Sequence, residues 1–451
     1  KKKRKKMERI SIGPLLFTGS ILLFRRFSNY YKPTIKEITK RSIITTSISS
    51  FKENTSQTTT TTTTTRESSK ILPPVAKQVH EDIYFGIHPK FPDQYRGKNP
   101  MNPPIIRSDK YNWLRDETRE NPEVLNQIEA ENKYCKDKLE PLNNLKESLY
   151  NEMLSYLKET DDEVPFRDGP YYYYTKNIKG LSYKIHCRKT DLNSEHEEVI
   201  LDENKLSEGH NYCGVDDVEP SPSHDLLAYS VDYTGNETYD IQFINIKTGE
   251  IIDTIAGCGS SIIWGTDDST IFYTKLDNEL RTYQVWLHTI GFDQSTDILI
   301  FEDLDQLFGV SVDKSSSKQY LFISTGSIET DETSFISLKD VSGAESHRNA
   351  VLQRTVIQPK TPGLRYGVEH HENYFYILTN LNNAHNLKLT RVPIQSSSYT
   401  ANNWIEVTPY QSNRELRSLL AFKSGIVIFG RENGSQKIWS ILTDSVKSNN
   451  K

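Results

Sequence analysis

Five stretches of the chain repeat one pattern, a run of strand character, a turn, a second run and a closing turn. They begin at Leu226 (LLAYSVDYTGNETYDIQFINIKTGE), Ser261 (SIIWGTDDSTIFYTKLDNELRTYQVWLHTIG), Gly309, Glu369 and Leu419. A further strand pair, Tyr171 to Tyr174 with Tyr183 to Arg188, brackets Lys179-Gly180. Turn residues sit where hairpins need them, as in Thr234-Gly235-Asn236 and Thr248-Gly249. The starts are spaced by roughly 40 to 60 residues, the length that one four-stranded propeller blade requires. No helical pattern intervenes, which argues against a doubly wound fold. A load of 25 Tyr and 17 Phe suits a β-rich chain. An array of β-sandwiches is the alternative, and units of repeated length favour the propeller. The expectation is a mainly β fold with about six propeller blades over residues 171–451.

Before the strands the period is helical. Asn121 is placed to cap, Pro122 suits the first helical position, and Glu123 lies at the positive end of the helix dipole. Val124, Leu125 and Ile128, then Leu139, Leu142, Leu145, Leu149, Met153 and Leu157, recur at three- and four-residue steps, the pattern of one buried face. Pro141 is expected to kink or split the helical segment. Val164-Pro165 and Asp168-Gly169-Pro170 punctuate its end.

Residues 71–110 are rich in proline and read as an extended lead-in. The domain expectation is therefore a disordered basic leader over 1–70, a lead-in and α-helical segment over 71–170, and the propeller over 171–451. The leader opens with KKKRKK ahead of Met7, an available initiator, so the sequence reads as a fragment at both ends. Its composition through residue 52 is that of a mitochondrial transit peptide, with a signal anchor or a plain tail as alternatives. Localisation is expected to be cytoplasmic or mitochondrial. The apolar run from Ile10 to Phe24 is too short to span a bilayer comfortably, and the Thr58 to Thr65 tract has nothing to bury.

The formal charge of −5 conceals an asymmetry, because residues 1–70 hold 16 Lys and Arg against 4 acids, leaving 39 against 56. An acidic body draws basic peptides and repels nucleic acid. Four cysteines, Cys135, Cys187, Cys213 and Cys258, lack zinc-finger spacing and read as reduced thiols.

The residues ahead of the helix cap carry more information. Tyr111, Trp113, Leu114, Arg115, Asp116, Thr118 and Arg119, followed by Pro122 to Leu125 and by Glu131-Asn132, resemble the N-terminal signature of the prolyl oligopeptidase family. The Leu-Arg-Asp-x-Thr-Arg spelling is similar to its oligopeptidase B branch, and the similarity extends with gaps to the C-terminus. The resemblance implies a serine peptidase that cuts short peptides after Arg or Lys, built from a seven-bladed β-propeller and an α/β-hydrolase domain. It also implies that the propeller gates access to the site. The expected partners are short basic peptides, bound through the intact enzyme, and the chain's own hydrolase domain, with no nucleic acid, no membrane and no cofactor.

An α/β-hydrolase presents its serine in G-x-S-x-G with Asp and His downstream, and that pentapeptide does not occur here. The hydrolase domain is thus expected to be absent from this chain, leaving it inactive alone, and no catalytic, cofactor or metal residue is assigned. A stand-alone propeller serving as a binding scaffold is the competing reading. His370, His371 and Glu372 lack H-E-x-x-H spacing and read as surface polar residues at a strand start. Asp267-Asp268 and Asp161-Asp162-Glu163 read as turn acids, and Gly257 to Ser261 (GCGSS) precedes a strand and forms no phosphate cradle. Arg115, Asp116 and Arg119 read either as local capping groups or as interdomain ion-pair formers.

Overall fold

The second strand of each blade is buried on both faces, and its two-residue alternation sorts side chains between the two neighbouring blades. Leu227, Tyr229 and Val231 pack with Tyr173, Ile200 and Leu201, while the intervening Ala228 packs with Ile262, Trp264 and Tyr273. The same division recurs further on. Ile271 and Tyr273 face back toward Phe243, and Phe272 faces forward into a layer with Val310, Val312, Leu321 and Ile323. Phe322 then joins Phe375 and Ile377, and Tyr376 and Leu378 join Leu416, Ile428 and Trp439. The core is a series of apolar layers between sheets, each contributed by two consecutive repeats.

The structure is a computed structural model that describes residues 8–9, 71–93, 100–341 and 352–442. The chain divides into two compact units between Glu159 and Thr160. The leader expected over 1–70 lies outside the described residues, apart from a two-residue strand, Glu8–Arg9.

The unit that begins at Thr160 is a six-bladed β-propeller. Blade 1 sets Asp161–Asp162 and Phe166–Asp168 beside Tyr171–Asn177, followed by Ile185–Lys189 and Glu198–Asp202. Blade 2 is Gly214–Pro220, Leu226–Asp232, Tyr239–Asn245 and Ile251–Cys258. Blade 3 is Ile262–Trp264, Thr270–Leu276, Thr282–Thr289 and Ile298–Glu302. Blade 4 is Gly309–Lys314, Tyr320–Gly326, Asp331–Ser337 and Thr355–Gln358, and blade 5 is Tyr366–His371, Tyr374–Thr379, Lys388–Pro393 and Ile405–Thr408. Blade 6 is Arg414–Phe422, Gly425–Glu432 and Ser435–Leu442, with Glu8–Arg9 along its last strand. Every pairing among the described strands is antiparallel, and first strands contact one another between blades 2 and 3, 3 and 4, and 5 and 6, which sets them around the axis.

In the other unit, Glu81–Phe85 pairs with Ile105–Asp109, a 3-10 turn covers Asn112–Leu114, and helices span Pro122–Leu139 and Asn143–Ser155. The expected cap is present, with the Asn121 side chain accepting from Glu123 N at 3.0 Å. Pro141 splits the segment through a 3-10 turn at Glu140–Leu142. The expectation of a buried apolar face is not met. Only Val124 of that stripe is buried, whereas Leu139, Leu145, Leu149, Met153 and Leu157 are exposed. Periodicity marks which side chains share a face, and burial requires in addition a surface to cover it.

Candidate functional site at the propeller axis

The hairpins joining first and second strands put polar side chains at one end of the axis. Three of them are built alike. Ser221 N donates to Leu226 O, Gly265 N to Thr270 O, and Ser315 N to Tyr320 O, at 2.8 to 2.9 Å. Hydroxyls and carboxylates hold the turns from inside, as Ser and Asp do in tight loops. Ser221 Oγ accepts from Leu226 N, Asp267 Oδ1 from Thr270 N, and Ser315 Oγ from Tyr320 N. The fourth turn position then carries His224, Asp268 and Lys318. His224 and Lys318 have left-handed backbones, φ 68° and 58°.

Contacts between these hairpins stitch neighbouring blades together. Ser223 donates its N–H and hydroxyl to Asp268, and Ser316 donates both of its groups to Glu369, at 3.0 and 2.7 Å. Lys314 Nζ donates to the Gly265 carbonyl at 2.9 Å. Among the described residues one contact joins blades that are not neighbours, since the Lys318 ammonium of blade 4 pairs with the Asp168 carboxylate of blade 1. Side chains from non-adjacent blades meet only where first strands converge, so this pair spans the axis.

Asp168 is held on a rigid support. It ends the strand Phe166–Asp168, with Asp168 opposite Tyr171 in register, and is followed by Gly169 at φ 54°. A Cβ at Gly169 would lie 2.3 Å from His224 Nε2, so the turn accepts only glycine. His224 Nδ1 hydrogen-bonds the Tyr173 hydroxyl at 2.8 Å. Burial lowers the His224 pKa, Lys318 and Arg188 add to that, and the carboxylates of Asp168 and Asp268 oppose it, the net effect favouring the neutral ring. Burial also pushes the Tyr173 phenol up to about 12. Arg188 is fully committed, donating to Glu198 at 2.7 Å and to the His224 carbonyl, with its guanidinium over the Tyr171 ring.

A second polar cluster lies between blades 2 and 3. His288 Nδ1 hydrogen-bonds Asp297 at 2.7 Å and Nε2 hydrogen-bonds Asp253 at 3.2 Å, while the Tyr273 hydroxyl donates to Asp297 at 2.7 Å. Carboxylates engage both ring nitrogens, so neither is open to a nucleophile's proton. This is a brace between blades rather than the base of a catalytic triad.

Sequence-singled residues take the following places. Asp116 accepts from Thr118 Oγ1 at 2.7 Å and from Asn121 N at 2.7 Å, Arg115 pairs with Glu117, and Arg119 has a left-handed backbone, φ 56°. The Asn121 amide, then the Thr118 hydroxyl, hold the Asp116 carboxyl below its ordinary range. These residues buckle the chain into the helix start. His370 and His371 are not surface residues at a strand start. They end the strand Tyr366–His371 and are buried, His370 sharing a 2.7 Å hydrogen bond with Ser317 Oγ and His371 donating to the Phe422 carbonyl at 2.9 Å. Their partners belong to adjacent blades, which buries them in the seams. Sequence reading flagged Asp168-Gly169-Pro170 only as the punctuation that ends the helical segment, and Lys318 not at all.

Residues 90–449 match the family described as "Prolyl oligopeptidase, N-terminal beta-propeller domain". The chain belongs to the prolyl oligopeptidase family. Among its relatives, Protease 2 of Moraxella lacunata is 33% identical over 344 residues, covering 74% of this chain and 48% of the relative. Dipeptidyl aminopeptidase BI of Pseudoxanthomonas mexicana is 30% identical, covering 75% and 47%. Oligopeptidase B from Leishmania major superimposes with a TM-score of 0.76 at 32% identity, covering 83% of this chain and 52% of that one. Oligopeptidase B from Trypanosoma brucei, in a closed form with covalently bound antipain, gives 0.73 at 33%. The chain spans about half the length of these family members. Its six blades are the propeller part of a serine peptidase family.

Proposed function

We propose that this propeller gates a serine peptidase of the oligopeptidase B type, which cuts short peptides after Arg or Lys, and that the chain alone has no peptidase activity. The observation that carries the gating role is the Lys318–Asp168 pair, a tie between blades 4 and 1 across the axial opening. An opening spanned by side chains admits narrow, extended peptides and refuses folded proteins, so access excludes large substrates before any chemistry begins. Relatedness to oligopeptidase B supports the basic specificity, and an excess of acids over the body of the chain supports attraction of basic peptides. Acyl transfer needs an activated nucleophile, an oriented base and an oxyanion hole.

The test joins residues 71–442 to the catalytic half of Protease 2 and compares a short Arg-containing peptide with the same sequence displayed on a folded protein. The expected result is cleavage of the peptide alone, with Lys318→Asn relaxing the discrimination, and no turnover by the unfused chain. Equal cleavage of both substrates rules out gating, and turnover by the unfused chain rules out its inactivity.

A further inference from the structure

The ion pair at the axis also has the composition of a bound basic side chain. A carboxylate fixed on blade 1 holds an ammonium that arrives from blade 4, and the two ends differ in freedom. Asp168 is placed by strand register and by the Gly169–His224 approach, and its side chain is 28% exposed. Lys318 extends a flexible four-carbon stem from a turn and is 58% exposed. The acceptor is preorganised and the cation is not.

We propose that Asp168 is the acceptor for the cationic side chain of an Arg- or Lys-bearing peptide and that Lys318 is its resident competitor. This rests on the gating role proposed above and names the ligand class that opens the gate. Ion pairs exposed to this degree contribute little, because water and salt screen them. Exchange of one cation for another on Asp168 is therefore nearly neutral in free energy. Arginine has the advantage, since its planar fork makes two parallel hydrogen bonds where lysine offers a point charge. The other charges nearby do not substitute for the ligand. Arg188 is engaged by Glu198, the His224 carbonyl and the Tyr171 ring, and Asp268 by Ser223. A peptide with a basic side chain displaces Lys318 and releases the cross-axis tie, whereas a neutral peptide has nothing to exchange.

The experiment uses the full chain and two fluorescein-labelled peptides, Gly-Gly-Arg-Gly and its counterpart with neutral citrulline in place of arginine, with binding read by anisotropy. The native chain should prefer the arginine peptide, and that preference should fall as salt is raised. Lys318→Asn keeps a residue that tolerates the left-handed turn and removes the competitor. It should tighten arginine-peptide binding by about 1.5-fold to fivefold, leaving the citrulline peptide unchanged. Asp168→Asn should abolish the preference. The proposal is overturned if the native chain shows no salt-sensitive preference, if Asp168→Asn retains it, or if Lys318→Asn leaves arginine-peptide binding unchanged or weaker. These readouts concern binding by the chain alone, so they fail separately from the size discrimination that tests gating.

Discussion

Replacing Asp297 by alanine should destabilise the propeller in a pH-dependent way. His288 is fully buried and Asp297 almost so, at 1% side-chain exposure. The substitution removes the shorter of the two carboxylate contacts to the imidazole and leaves the buried Tyr273 hydroxyl without its acceptor. Breaking a buried pair by deleting one partner costs about 3–5 kcal/mol. At about 2–4 °C per kcal/mol for a domain of this size, the lower figure lowers Tm by roughly 6–12 °C. Burial pulls the His288 pKa down, but the hydrogen bond and charge of Asp297, and then those of Asp253, outweigh it and hold the imidazole above its ordinary 6.5. A group whose folded pKa is raised contributes stability that is complete below the unfolded value and is lost as pH rises through the folded one. The Tm deficit of Asp297→Ala should thus be largest below about pH 6.5 and should shrink on the alkaline side. Differential scanning calorimetry at several pH values measures both quantities. A deficit under about 2 °C at acid pH, or one that grows with pH, refutes the reasoning.

Three further outcomes are expected. Gly430→Ala would place a Cβ 2.0 Å from the Glu415 carbonyl oxygen, a backbone atom that cannot turn aside, so the urea midpoint should fall by the equivalent of about 1–3 kcal/mol or more. Asn121→Ala removes the cap on Glu123 N and should cost about 1 kcal/mol, visible as faster amide exchange in the first turn of Pro122–Leu139. Of the four free thiols, Cys135 is exposed and should react first with a thiol reagent, whereas Cys187 and Cys258, whose pKa values burial raises to about 11 and about 12, should react only on unfolding.

The blades were legible in the sequence because each hairpin is local. Alternation in Leu226–Asp232 and the turn at Thr234-Gly235 lie within a few residues of one another, and the same holds for the Asn121-Pro122-Glu123 helix start. What joins one blade to the next was not legible. Lys318 and Asp168 are 150 residues apart, and each looks like an ordinary surface charge in its own repeat. His288 draws its two carboxylates from different blades. His370 and His371 look solvated by sequence because the seams that bury them are made by Ser317 and Phe422 in other repeats. The helical stripe failed in the opposite sense, since its period was correct while most of its side chains are exposed.

The most direct test of the axial gate locks it. In the fusion to the catalytic half of Protease 2, Asp168→Cys and Lys318→Cys are introduced together with Cys135→Ser, and the two new thiols are bridged with a short bismaleimide. Hydrolysis of a short arginine substrate is then compared with that of the same protein capped by a monofunctional maleimide. The bridged form should lose turnover while the capped form keeps it. Equal turnover by the bridged and capped forms would contradict it.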